Sequence, residues 1–128
     1  MVDASVIIDL LLRVPGVEAL DARLFDNGES LHAPHLIDVE VAHALRKYAL
    51  RGELSDARGK SALALLKRFP ITRHAHDSLL HRVWMLRHNL SAYGATYVAL
   101  TEGLDATLLT RDAPLSLSSG HTARVELI

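Results

Sequence analysis

The stretch Ala106-Thr107-Leu108-Leu109-Thr110-Arg111-Asp112 decides the fold class. Its first part, Ala106 to Thr110, is apolar enough to be a strand at the centre of a sheet. Asp112 follows at once and starts a short helix. A buried strand that feeds a helix start is the unit of an α/β fold, and the rest of the chain repeats it.

Upstream, Ser91 can cap a helix to about Glu102, with Gly103 as its stop. Asp77 to about His88 reads as another helix, carrying Leu79, Leu80, Val83, Trp84 and Leu86. Pro70 to Arg73 is a weak strand. Ser55 begins a helix with Leu63, Leu65, Leu66 and Phe69 as its apolar positions. Pro34 opens a helix to about Leu50, stopped by Gly52, in which Ile37, Val41, Leu45 and Tyr48 form the buried stripe. Ser30 to Ala33 is a short strand. Two helices precede it, Ser5 to Leu12 and Gly16 to Phe25, the second closed by Asp26-Asn27-Gly28. The chain opens on a very short strand, Met1 to Asp3, and closes on another, Ala123 to Leu127. Strands alternating with helical crossovers predict a mostly parallel sheet flanked by helices.

The totals agree with one domain over residues 1–128, of which 49% are hydrophobic. A net charge of -1 argues against binding nucleic acid by bulk positive charge. A metal can still supply local positive charge at a phosphate. With no cysteine, disulfides, thiolate zinc sites and cysteine nucleophiles are excluded, which fits a cytoplasmic protein. Met1-Val2-Asp3-Ala4-Ser5 is no signal peptide, and no apolar run approaches the ~18 residues of a membrane helix.

Ligands of open α/β sheets gather at the carboxyl ends of the strands. Asp3 and Asp112 both fall there. Glu40 lies in the first turns of the Pro34 helix, off its apolar stripe, and can join them. Carboxylates brought together raise one another's proton affinity. A divalent cation with a taste for oxygen, Mg²⁺ or Mn²⁺, relieves that conflict. It can also activate water against a phosphodiester. Taken singly, each acid has a plainer role: Asp112 as a helix cap, Glu40 as a partner of the helix dipole.

Four segments then resemble the motifs of PIN-domain ribonucleases of the VapC toxin type, in order. They are Val2-Asp3-Ala4-Ser5-Val6, Asp38 to Arg46, Leu90 to Leu100, and Leu108 to Asp112. The resemblance implies a PIN-like three-layer α/β fold and a Mg²⁺- or Mn²⁺-dependent endoribonuclease. It implies cleavage of structured RNA, tRNA or rRNA, and a VapB-type antitoxin whose tail covers the acids. It also implies a homodimer. Asp3, Glu40 and Asp112 become catalytic metal ligands, with Ser5 and Thr110 orienting the carboxylates.

The third motif departs from the family. It normally carries an aspartate after the tyrosine, and here that place is Gly94. A glycine in a helix costs about 1 kcal/mol relative to alanine, and nothing local requires it. The resemblance therefore implies weakened metal binding and cleavage. Two origins stand open: an introduced inactivating substitution, which we favour, or a naturally weakened member. A weak PIN module that only binds an antitoxin within a repressor complex is the alternative function.

The remaining features are weighed more briefly. Tyr93, beside the site, can contact a base, and Tyr97, one turn on, is assigned to core packing. Arg46, Lys47 and Arg51 follow Glu40 and suit either the helix dipole or RNA phosphates, with Arg46 the chosen contact. His74, His81 and His88 recur every seven residues and could share a helix face, although His74 precedes that helix, but they offer no acid-flanked metal pair. A response-regulator receiver would need paired acids after the first strand and a lysine after the last, and no lysine follows Lys67. A haloacid-dehalogenase-type phosphatase would need an acid where Ser5 stands.

Overall fold

The segment Met1 to Asp3 is the hub of the sheet. In the computed structural model, which describes residues 1–25 and 28–128, it runs between two strands. On one side Val2 N–H donates to the His32 carbonyl at 3.1 Å. On the other, Val2 bridges Leu109 in parallel, and Leu109 N–H donates to the Met1 carbonyl at 3.0 Å. His32 belongs to β1 (Leu31–Pro34), which pairs in parallel with β2 (Ile71–His74). Leu109 belongs to β3 (Thr107–Thr110), which pairs in parallel with β4 (Arg124–Leu127). The order across the sheet is therefore β2, β1, Met1–Asp3, β3, β4. The expected first strand shrinks to a single bridge, because the chain turns into α1 (Ala4–Leu12) directly after Asp3.

Neighbouring residues along a strand face opposite sides, and each side of this sheet has its own core. Val2 and Leu109 pack with α1, α2 (Val17–Phe25), α3 (Ile37–Leu50) and α4 (Asp56–Arg68). Met1 and Leu108 pack with α5 (Leu80–Met85), α6 (Ala92–Gly103) and α7 (Ala113–Ser116). This is the expected α/β arrangement: helices, a parallel sheet, helices. Helix α6 is buried without a break from Ala95 to Thr101, as befits a helix enclosed by its neighbours. Its polar members are satisfied inside it: Thr96 Oγ1 donates to the Ala92 carbonyl and Thr101 Oγ1 to that of Tyr97. No helix among the described residues is long and apolar enough to cross a membrane.

Several boundaries differ from the sequence reading. Pro34 ends β1 opposite His74 and does not open a helix. Its ring holds Ala33 extended, which suits a strand's end, and α3 begins only at Ile37 after a turn. The helix expected from Asp77 to His88 is a 3₁₀ turn at Asp77–Leu79 followed by the short α5. Val83 and Leu86 reach the core there, whereas Leu80, Trp84 and Met85 remain more than half exposed. In α4, Ala62 and Leu66 are buried while Leu63 and Leu65 are exposed. His74 lies in β2, where its ring meets His32 at 2.9 Å, and shares no helix face with His81 and His88. The turn read over Asp26 and Asn27 lies outside the described residues.

Candidate active site: an acidic cleft at the carboxyl edge

Asp3 is where strand becomes helix. Its backbone is extended and its side chain caps α1, accepting from Ser5 N–H at 3.0 Å and Val6 N–H at 3.2 Å. The Ser5 hydroxyl donates to the same oxygen at 2.5 Å, and the Thr110 hydroxyl donates to the other. Those two hydroxyls also tie in the loop beyond β3: Ser5 Oγ accepts from Arg111 N–H and Thr110 Oγ1 from Asp112 N–H, both at 2.9 Å. Ser5 and Thr110 thus hold Asp3 and position the backbone that presents Asp112. Asp3 itself is only 6% exposed.

Asp112 caps α7 through Leu115 N–H at 3.0 Å, so the plainer role weighed for it is realised. Only one of its oxygens is engaged in that bond, and the side chain still lines the cleft. Glu40 stands in the first turn of α3, half-buried, and accepts from the Tyr97 hydroxyl at 2.6 Å. Asp38, two residues earlier, is held by the Arg73 guanidinium on β2, and does not line the cleft.

Asp3, Glu40 and Asp112 line one cleft of about 860 Å³. Ser5, Tyr93, Gly94 and Tyr97 line it as well, while Arg46 is exposed outside it. Among the described residues, no three acid or histidine side chains stand close enough to hold a metal ion as placed. The acids share a cleft without converging on a point.

The electrostatics show charge in want of a partner. Burial pushes the Asp3 carboxyl above the usual range, and its hydrogen bonds only partly offset this. Burial raises Glu40 too, opposed by the Tyr97 hydrogen bond and reinforced by the charge of Asp3. Tyr97 is pushed strongly upward, first by burial and then by Glu40, so its hydroxyl keeps its proton and acts as the donor. A hard divalent cation fits this donor set in kind: carboxylate oxygens, no ion pair to them among the described residues, and a proton affinity of Asp3 and Glu40 raised by confinement. Gly94 faces the same cleft and offers no oxygen. Its backbone is ordinary helix, and a Cβ there would meet Leu115 at 3.4 Å and Leu90 at 3.5 Å. There is room for a side chain.

Tyr97 is the site residue that sequence reasoning assigned elsewhere. It is indeed in the core, 3% exposed, yet its hydroxyl reaches Glu40. The available signal was its spacing, since it lies one helical turn after Gly94.

The PIN domain family matches residues 1–116 of the chain. The chain belongs to the PIN-domain family. This PIN domain is 43% identical over 116 residues to the protein named Ribonuclease VapC9 of Mycobacterium tuberculosis (strain ATCC 25618 / H37Rv), covering 91% of this chain and 87% of that one. It is 37% identical over 129 residues to Ribonuclease VapC1 of the same strain, covering 100% and 96%. The crystal structure of PAE2754 from Pyrobaculum aerophilum superposes with a TM-score of 0.72 at 22% identity, over 96% of this chain and 86% of that one, and shares the fold. The four resembling segments of the sequence thus lie in a PIN domain.

Proposed function

We propose that this chain is an endoribonuclease toxin of the VapC type whose cleavage is impaired at Gly94. One observation carries the reading: Asp3, Glu40 and Asp112 face a single cleft at the carboxyl edge of a PIN domain, with Gly94 beside them. The relatives named Ribonuclease VapC9 and VapC1 support a ribonuclease.

Asp3, Glu40 and Asp112 would hold the metal, Mg²⁺ or Mn²⁺. Such an ion supplies activation of water and neutralisation of phosphate charge. The chain's own residues do the rest. Ser5 and Thr110 orient Asp3, Tyr97 orients Glu40, and the exposed Tyr93 offers a face on which a base can stack. The substrate is structured RNA, tRNA or rRNA. The partner is a VapB-type antitoxin, the toxin acts as a homodimer, and the compartment is the cytoplasm.

The test is RNA cleavage by the chain and by Gly94→Asp, with Mn²⁺ or Mg²⁺ and with chelator. Cleavage by the variant alone, abolished by chelator, supports the reading. Equal cleavage by both removes position 94 from the metal site. Absence of cleavage by both, on tRNA and rRNA alike, favours the second reading: a PIN module that binds an antitoxin in a repressor complex. Gly94 is the observation that keeps this second reading open.

A further inference from the structure

Glu40 does not stand alone on its helix face. Glu40, His43, Ala44 and Lys47 recur at helical spacing along α3, and all of them line the cleft. Lys47 is the only lysine or arginine lining it among the described residues. Two arginines of neighbouring elements are occupied. Arg73 is paired with Asp38, and Arg111 with Asp9, both at 2.8 Å. Lys47 takes part in none of the ion pairs among the described residues. An exposed ammonium group in a cleft otherwise charged by carboxylates has no structural partner there.

We propose that Lys47, assisted by His43, binds the RNA phosphate next to the one that is cleaved, so that the strand runs along α3 away from the acids. The proposal rests on the nuclease reading and adds a direction to it. Seven residues of helix separate Glu40 from Lys47 by about 10 Å along the axis, too far for both to serve one phosphate. The carboxylates repel the RNA backbone near the scissile bond, and an ammonium group at the far end draws it in. His43 lies between the two and can donate a ring N–H to a phosphate oxygen. Tyr93, 66% exposed, lines the same cleft and offers an aromatic face to a base of the strand. Arg46, the RNA contact expected from the sequence, lies outside the cleft, and the proposal gives that role to Lys47 instead.

Salt-dependent binding tests this without any need for cleavage. A fluorescently labelled single-stranded RNA of mixed sequence is titrated with the chain in chelator, and binding is followed by anisotropy across a salt series. Lys47→Gln should lower the slope of log affinity against log salt by about 0.7, the release expected for one single-strand phosphate contact. Affinity should fall roughly five- to tenfold at about 50 mM salt. Arg46→Gln should leave both nearly unchanged. If Arg46→Gln carries the loss, or if the two variants are alike, the track along α3 is wrong. If the chain binds no RNA in chelator, the track is likewise rejected. Cleavage by Gly94→Asp then still decides the nuclease reading on its own.

Discussion

Two clefts of similar size open at opposite edges of the sheet. One, of about 860 Å³, holds Asp3, Glu40 and Asp112 at the carboxyl edge. The other, of about 760 Å³, is lined by Met1, Leu31, Thr107 and Arg124, the residues at which the strands begin. It is rich in charge as well, but both of its arginines are paired: Arg23 with Glu126 at 2.5 Å and Arg124 with Asp105 at 3.0 Å. The proton affinities follow. Glu126 is drawn below the usual carboxylate range by the Arg23 guanidinium, while Asp3 is pushed above it by burial. Volume does not distinguish the two edges. Confined carboxylates with no ion pair among the described residues do, and the proposed function rests on them.

The strongest way to sharpen that contrast is to add a carboxylate at Gly94, where the proposed metal set lacks one. Gly94→Asp should raise Mn²⁺-dependent RNA cleavage by about 100-fold or more, since loss of even a supporting group at a metal site costs 10- to 100-fold. The helix should not suffer. The aspartate sits near the N-terminus of α6, where a negative charge is favoured by about 0.3–1 kcal/mol. Thermal unfolding in chelator would expose an error if the variant were markedly less stable.

A smaller effect is expected from Tyr97→Phe, made in the Gly94→Asp background. The ring still fills its place in the core, but Glu40 loses its hydroxyl donor. Stability should fall by about 1 kcal/mol, the usual net worth of a hydrogen bond. Mn²⁺ affinity by calorimetry should fall by roughly tenfold, because the carboxylate is no longer oriented. Unchanged affinity would make Tyr97 a packing residue only.

That pair of residues also shows where the sequence was legible. Asp3, Asp112 and Ser91 could be read because caps and strand ends are local: each contacts backbone two or three residues away. The central place of β3 was legible in the uninterrupted apolar run Leu108-Leu109. Glu40 and Tyr97 are 57 residues apart, and their bond depends on how α3 and α6 meet at the sheet edge. No local pattern encodes that meeting. The break after Met85 was hidden for a related reason. Leu80 and Trp84 look like core residues by type, and only the docking of Val83 and Leu86 decides that they stay outside.

Acid titration compares a site carboxylate with a structural one. Asp3 has a raised folded pKa, so its protonated form is favoured by folding. Its contribution to stability is greatest at or below about pH 3.8 and declines as pH rises through the raised value. Glu102 is the reverse. The Arg82 guanidinium holds it at about 2, so its contribution is present above about pH 4.5 and is lost as pH falls toward 2. In chelator, Asp3→Asn should therefore cost more at pH 4 than at pH 7, and Glu102→Gln more at pH 7 than at pH 3. Urea unfolding at these pH values checks both slopes. Parallel slopes would mean that Asp3 is compensated after all, and the distinction between the two edges would fail.

The smallest effect should come from the paired edge itself. Arg23→Gln removes one partner of the Arg23–Glu126 bridge, in which both side chains are nearly half exposed. Pairs in that setting are screened by solvent, and their loss changes stability by about 0–1 kcal/mol. The carboxyl of Glu126 should titrate higher once the guanidinium is gone, visible by NMR as an upward shift of its midpoint. RNA cleavage in the Gly94→Asp background should stay within about twofold, because the change lies at the amino edge, across the sheet from Asp3. A loss of cleavage approaching roughly tenfold would mean that the paired edge takes part in the reaction. Uncompensated charge would then no longer tell the proposed active cleft from the other.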